Sequence, residues 1–212
     1  MKAQCRFENN PIPPVFSLAL SRATGLEDAG GVLALGGIPS IPHDATFVAT
    51  PIIPLLPGIY AWYAIQIDGF DIILPFSAQR SPGLARMASM FAIEPTQVII
   101  DSGTTLMYLP DLLVDYIALL FSPPAFINPY NGLYMAICDS IAPRFGVIIS
   151  GKTFYINPED LLNPMSPDVC MLAIQKQGAG DAVLGDSFLK NVLAVFDVGI
   201  HEMRFAAREN YE

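Results

Sequence analysis

Hydrophobic and polar positions alternate over short stretches of the chain, a spacing typical of β-strands rather than of helices. Prolines (19) and glycines (16) separate these stretches every few residues. Strands are predicted within PVFSLALSR, GVLALGGI, YAWYAIQIDGFDIIL, TQVIID, FGVIISGKTFYI, VCMLAIQ and LAVFDVGIHEMRFA. Hairpin turns are predicted at Ile67–Phe70 and at Ser150–Lys152, where Asp-Gly and Ser-Gly interrupt apolar runs. Many short strands separated by turns favour an all-β barrel or sandwich.

Helical patterns are few. Pro110 and Asp111 start an apolar stretch that predicts a helix over residues 111–121, and PGLARMASMF predicts a short helix over Pro82–Phe91. A helical turn is also expected in GDSFLKN, before the last strands. The first 14 residues, rich in asparagine and proline, are expected to be irregular, so that residues 15–212 form the folded body.

The composition indicates a large core and excludes some partners. Apolar residues make up 52% of the 212 residues and charged residues only 15%, with a net charge of −9. An acidic balance without a basic stripe argues against nucleic acid and against anionic membrane surfaces. Prolines and a glycine interrupt the most apolar region, 47–67, so it does not predict a membrane-spanning helix, and the first residues lack the apolar segment of a signal peptide.

The three cysteines, Cys5, Cys138 and Cys170, match no zinc-binding spacing, and only two histidines are present. A Cys138–Cys170 disulfide would stabilise the fold by roughly 3–4 kcal/mol in the chain-entropy model, but three buried free thiols fit the composition equally well. The sequence contains no phosphate-binding glycine loop, no Ser-His-Asp arrangement and no metal-binding cluster, so neither a metal nor a cofactor is expected.

The segment VIIDSGTTLMYLP places Asp101 between two apolar runs and follows it with hydroxyl residues and a glycine. Gly103 allows the backbone to turn close to the carboxylate, and nearby N–H groups and hydroxyls could donate hydrogen bonds that favour its charged form. The alternative is an ordinary Asx turn. The apolar flanks favour a held carboxylate that could act as a general base, because a buried aspartate is rare unless it is paired or hydrogen-bonded.

VIIDSGTTLMYLP resembles the active-site loop of the pepsin-like aspartic endopeptidases, in which hydrophobic residues precede Asp-[Ser/Thr]-Gly-[Thr/Ser]. Three further segments are similar to that family in the same order along roughly residues 15–207: FSLALSRATGLEDAGGVLALGGI, YAWYAIQIDGFDI and AVLGDSFLKNVLAVFDVGIHEMRFA. The resemblance implies an all-β lobe with a few short helices. All matching elements belong to the C-terminal lobe of the family's two-lobed pattern, with residues 15–38 expected in the inter-lobe sheet and the N-terminal lobe absent.

The resemblance also implies site roles. Asp101 would be one of two catalytic aspartates, and its loop is Ser102, Gly103, Thr104 and Thr105. Ser102 would brace the lobe interface, and Thr104 would hydrogen-bond Asp101 or the substrate backbone. Trp62, Ile99 and Leu184 are candidates for the walls of substrate pockets, with plain core packing as the alternative. Cys138 and Cys170 lie where this lobe of the family carries its disulfide.

The expected activity is peptide-bond hydrolysis by a water held between two aspartates that share one proton. Asp28 and Asp197 lack the following hydroxyl residue and are expected to be structural. Asp101 alone cannot perform the reaction, so the partner is a second lobe and the isolated chain is expected to be inactive. The alternatives are a homodimer that pairs two copies of Asp101 and an inactive binding module of the same fold. The family and the disulfide favour a secreted or vacuolar acid protease that acts on polypeptides.

Overall fold

The computed structural model describes residues 6–7, 10–22, 30–75 and 81–208. The strands are β1 (Arg6–Phe7), β2 (Asn10–Pro11), β3 (Val15–Leu20), β4 (Gly31–Leu35), β5 (Val48–Pro51), β6 (Ala64–Ile67), β7 (Gly69–Ile73), β8 (Thr96–Ile100), β9 (Met107–Leu109), β10 (Phe126–Ile127), β11 (Tyr134–Ile137), β12 (Arg144–Ile149), β13 (Lys152–Tyr155), β14 (Leu162–Pro164), β15 (Val169–Leu172), β16 (Ile174–Lys176), β17 (Ala182–Leu184), β18 (Val192–Asp197) and β19 (Glu202–Ala207). The α-helices are α1 (Pro82–Phe91), α2 (Asp111–Leu120) and α3 (Asp186–Leu189), and Pro158–Leu161 forms a 3-10 helix.

The all-β class predicted from the sequence is confirmed, since strands dominate and the helices are short. Each segment predicted to hold strands contains at least one. The predicted helix Pro82–Phe91 has the predicted ends, and the helix expected over residues 111–121 stops one residue earlier. Helix α2 forms because its apolar positions recur at helical spacing and bury Leu113, Tyr116, Ile117 and Leu120 against the sheets.

Asp101 follows β8, which belongs to a five-stranded sheet of order β16-β9-β17-β8-β6. Strands β8 and β17 run parallel, and β17 also pairs antiparallel with β9. Strand β17 therefore lies between β8 and β9, although these two strands follow each other along the chain. The connection of residues 101–106 must consequently cross the end of β17.

The remaining strands form a second five-stranded sheet (β4-β3-β18-β19-β5), a four-stranded sheet (β10-β11-β15-β14), a three-stranded sheet (β13-β12-β7) and the pair β1-β2. Residues from the larger sheets and α2 join in one hydrophobic core. Within the described residues, β4 lies at the edge of its sheet and exposes Val32, Leu33 and Leu35 by 40%, 60% and 66%. Cys138 and Cys170 form a disulfide between the end of β11 and β15. None of the helices in the described residues is both long and apolar enough to cross a membrane.

The prediction of a hairpin at Ile67–Phe70 is wrong. Strand β6 pairs with β8, whereas β7 pairs with β12, so the chain passes from one sheet to another at Asp68–Gly69. Gly69 permits this because it has φ +155°, and a Cβ there would lie 2.7 Å from the carbonyl oxygens of Phe91 and Ala92. The hairpin predicted at Ser150–Lys152 is confirmed by the β12–β13 pairing. Ser150 and Gly151 both have positive φ, as a tight primed turn requires.

Candidate active site

Asp101 is the first residue after β8, and its half-buried side chain follows the buried Ile100. Its backbone N–H donates to the carbonyl of Leu184 in β17 (3.2 Å), and its own carbonyl accepts the N–H of Thr104 (3.3 Å). The first bond ties the strand end to the sheet and the second closes a turn. The chain direction is thus fixed on both sides of the carboxylate.

The two carboxylate oxygens of Asp101 each accept a hydrogen bond from the loop that follows. The Gly103 N–H donates to Oδ1 (2.9 Å), and the Thr104 hydroxyl donates to Oδ2 (2.6 Å). A Cβ on Gly103 would already lie 3.1 Å from Oδ1, so glycine suits this close approach. Both donors orient the carboxylate as a hydrogen-bond acceptor and restrict its rotation.

The loop is held in turn by the start of α3. The Asp186 N–H donates to the carbonyl of Thr104 (2.8 Å), and both the N–H and the hydroxyl of Ser187 donate to the carbonyl of Thr105 (3.2 and 2.9 Å). These contacts exist because β17, which leads into α3, lies between β8 and β9. Residues far along the chain therefore support the loop that carries Asp101.

A second carboxyl group, that of Asp186, lies in the same region. Burial raises the pKa of Asp186, the charge of Lys190 opposes this rise, and the negative charge of Asp101 adds to it. Its Oδ1 atom is buried without a hydrogen-bond partner among the described residues. The neutral form of Asp186 is thus favoured relative to an exposed aspartate, mainly because of burial.

The three candidate pocket residues have different surroundings. Trp62 is 60% exposed and precedes Tyr63, whose carbonyl accepts the N–H of Ile100 (2.9 Å). Trp62 is therefore near the strand end that leads into Asp101. Ile99 is half-buried on β8, whereas Leu184 is 0% exposed and belongs to the core. A pocket role stays a prediction for all three, and the position of Leu184 favours the packing alternative.

The remaining loop residues lie at the surface, and Asp197 has the contacts of a turn residue. Ser102 and Thr105 are exposed beside Asp101. Asp197 accepts the N–H groups of Gly199 and Ile200 and pairs with Arg204, as a turn residue does. Asp28 and Cys5 lie outside the described residues. Among the described residues, no group of three or more potential metal-ligating side chains is arranged to hold a metal ion.

The sequence did not identify the residues that support the loop. In the sequence, Gly185 and Ser187 are recognisable only as part of the segment AVLGDSFLKN, because their contact with residues 104–106 depends on the strand order of the sheet. A glycine directly followed by polar residues at a strand end could have indicated a close backbone approach.

Comparison with known proteins gives consistent results. The family model of eukaryotic aspartyl proteases matches residues 10–208. A probable aspartic-type endopeptidase of Aspergillus fumigatus is 40% identical over 95% of the chain and 46% of its own length. Rhizopuspepsin of Rhizopus chinensis is 26% identical over 91% of the chain and 43% of its own length, and gastricsin of Oryctolagus cuniculus is 30% identical over 91% and 46%. The chain spans about half the length of the curated relatives it matches.

Proposed function

Because the chain belongs to the eukaryotic aspartyl protease family, we propose that it is the C-terminal lobe of an aspartic endopeptidase, in which Asp101 acts together with an aspartate from a second lobe. Residues 15–212 would form this lobe. The observation that carries the proposal is the Asp101 carboxylate, oriented by Gly103 and Thr104 at the end of β8.

The chemistry requires two carboxyl groups with opposite tasks. One takes a proton from a water molecule, which attacks the carbonyl carbon of the peptide bond, and the other gives its proton to the carbonyl oxygen. An Asp101 carboxylate with fixed oxygens suits the general-base task. A carboxylate that takes the proton from the water has no proton of its own to give to the carbonyl oxygen, so the second lobe is essential to this proposal.

The exposed edge strand β4 supports the existence of such a partner. Leu33 and Leu35 are more than half exposed, and β4 has a neighbouring strand on only one side within the described residues. Natural proteins rarely leave an apolar edge strand uncovered, because it invites pairing with another chain. We place the docking of the second lobe here, in line with residues 15–38 forming part of an inter-lobe sheet. The length of the matched relatives, about twice that of this chain, agrees with a functional unit of two lobes.

The proposed substrate is a polypeptide, with the exposed Trp62 and the half-buried Ile99 as contacts for its side chains. The Cys138–Cys170 disulfide favours an oxidising compartment, which agrees with a secreted or vacuolar location.

The experiment fuses the chain behind the part of the Aspergillus fumigatus relative that lies outside the match and compares the fusion with the chain alone. Peptide cleavage at acidic pH is expected from the folded fusion, none from the chain alone, and none from the fusion carrying Asp101→Asn. Cleavage that persists in Asp101→Asn would refute the role of Asp101.

Two other outcomes identify the alternatives. Cleavage by the chain alone that rises with the square of its concentration would support a homodimer that pairs two copies of Asp101. A folded fusion that binds peptide without cleaving it would support an inactive binding module.

A further inference from the structure

A cluster of four polar side chains, three buried and one half-buried, packs against α3 on the side of the 3-10 helix. Its members come from distant parts of the sequence: Arg22 follows β3, Asp160 lies in the 3-10 helix, and Ser187 and Asn191 belong to α3 and the turn after it. Ser187, Asn191 and Asp160 are only 1%, 5% and 7% exposed. We refer to these four residues as the α3 network.

An ion pair anchors the α3 network. The Arg22 guanidinium donates to both oxygens of Asp160, at 3.0 Å from Nε and 2.6 Å from Nη2. The Asp160 side chain is only 4% exposed, so this pair is largely removed from water. A buried carboxylate of this kind needs a fixed partner, which gives the contact a defined geometry.

Asn191 connects the ion pair to α3. Its Nδ2 group donates to Asp160 (2.9 Å) and to the carbonyl of Ser187 (3.0 Å). Its Oδ1 atom accepts from Arg22 (3.1 Å) and from the N–H of Asn157 (2.9 Å). All four contacts use both ends of one amide group, so the Asn191 side chain has a single orientation.

Ser187 connects α3 to the active-site loop. Its hydroxyl and its N–H both donate to the carbonyl of Thr105, and Thr104 and Thr105 lie directly after the Asp-Ser-Gly turn. The hydrogen bonds therefore run without a break from Arg22 through Asp160, Asn191 and Ser187 to the backbone of the loop. Packing alone could hold α3 against the core, whereas a chain of directional hydrogen bonds also fixes its rotation about its axis and its position along that axis.

We propose that Arg22, Asp160, Asn191 and Ser187 are positioning residues that set the placement of the active-site loop and, through Thr104 and Gly103, of the Asp101 carboxylate. The meaning of this placement for catalysis rests on the proposed function. The placement itself is a property of this chain and can be measured without any cleavage assay.

The test measures solvent exchange of individual amide protons by NMR in the chain as it exists. Ser187→Ala removes one hydroxyl from the end of the network, and Asn191→Leu removes its central amide at similar volume. Gln175→Leu is the matched control, since Gln175 is also buried (1%) and its side chain bonds only to Tyr134 and Leu172 among the described residues.

In both network variants, the amides of Gly103 and Thr104 are expected to exchange about tenfold faster, the order of change that loss of one buried hydrogen bond produces. In Gln175→Leu, these two amides should be unchanged and the amide of Tyr134 should respond. If Asn191→Leu does not fold, Ser187→Ala alone tests whether the α3 network positions the loop. Unchanged exchange at Gly103 and Thr104 in folded Ser187→Ala would overturn the proposal.

The fusion with the Aspergillus fumigatus segment, where it is active, allows a second measurement. There, Ser187→Ala is expected to lower kcat about tenfold with little change in KM, because a displaced carboxylate affects the reaction step more than peptide binding. An equal kcat in wild type and Ser187→Ala would also overturn the positioning role. A fusion without any activity would count against the proposed function, while the amide exchange result would still decide this inference.

Discussion

Gly185 and Thr104 are in contact through their backbones: a Cβ on Gly185 would lie 2.1 Å from the carbonyl oxygen of Thr104 and 2.3 Å from that of Leu106. No side chain fits in this space. The contact lets the next residue, Asp186, donate its N–H to the same Thr104 carbonyl. The absence of a side chain at position 185 is therefore a condition for the loop that holds Asp101.

Gly185→Ala is expected to destabilise the protein by about 1–3 kcal/mol or more, since backbone atoms must move to admit the methyl group. Urea unfolding measures the effect. Gly37→Ala is the matched control, because a Cβ at Gly37 meets no atom within 4 Å. Equal stability of the two variants would contradict the close approach.

Thr104→Val is expected to cost about 1 kcal/mol of unfolding free energy, because the hydroxyl that donates to Asp101 Oδ2 is lost. In the active fusion, kcat should fall at least about tenfold, since the carboxylate loses part of its orientation. Thr105→Val, at the exposed neighbouring position, is the control. If both variants cleave peptide at the same rate, the Thr104 hydroxyl has no role in orienting Asp101.

Asp186→Asn is expected to flatten part of the pH dependence of stability. Burial raises the pKa of Asp186 above its ordinary value of 3.8, so the folded state binds its proton more tightly than the unfolded state does. Its contribution is thus most favourable below that ordinary value and is lost as the pH rises through the raised pKa.

The difference in stability between Asp186→Asn and wild type should therefore favour the variant more near about pH 7 than near about pH 3. Thermal unfolding of both proteins at both pH values measures this difference. Asp181→Asn, at an exposed carboxyl, is the control for a simple change of net charge. If the difference in stability between Asp186→Asn and wild type is the same at both pH values, the pKa of Asp186 is not raised in the folded protein.

Replacing Cys138 and Cys170 by serine is expected to lower the unfolding free energy by roughly 3–4 kcal/mol, because the disulfide closes a loop of sequence separation 32. Denaturant unfolding with and without reductant measures the loss. The double variant itself should be insensitive to reductant. A wild type whose unfolding does not respond to reductant would show that the bond is absent in solution.

Local patterns predicted many of the strands and the helices, but not β5, β11 or β17. Asp101 also stands out through a local pattern, and its catalytic role stays a prediction. Apolar alternation identifies strands, but it does not specify which strand pairs with which, and the wrong hairpin at Ile67–Phe70 shows this limit. The glycine there is needed for packing against Phe91 and Ala92, residues that no local pattern connects with it. The α3 network was missed for the same reason, since its ion pair joins Arg22 to Asp160 across 138 positions.

The position of β17 between β8 and β9 has a consequence for the order of events on the ribosome. Asp101 is synthesised about 80 residues before Gly185, Asp186 and Ser187, the residues that contact its loop. During synthesis the Asp101 loop therefore lacks these contacts until α3 has emerged, and a transcript that ends before α3 encodes the aspartate without the residues that hold its loop in place.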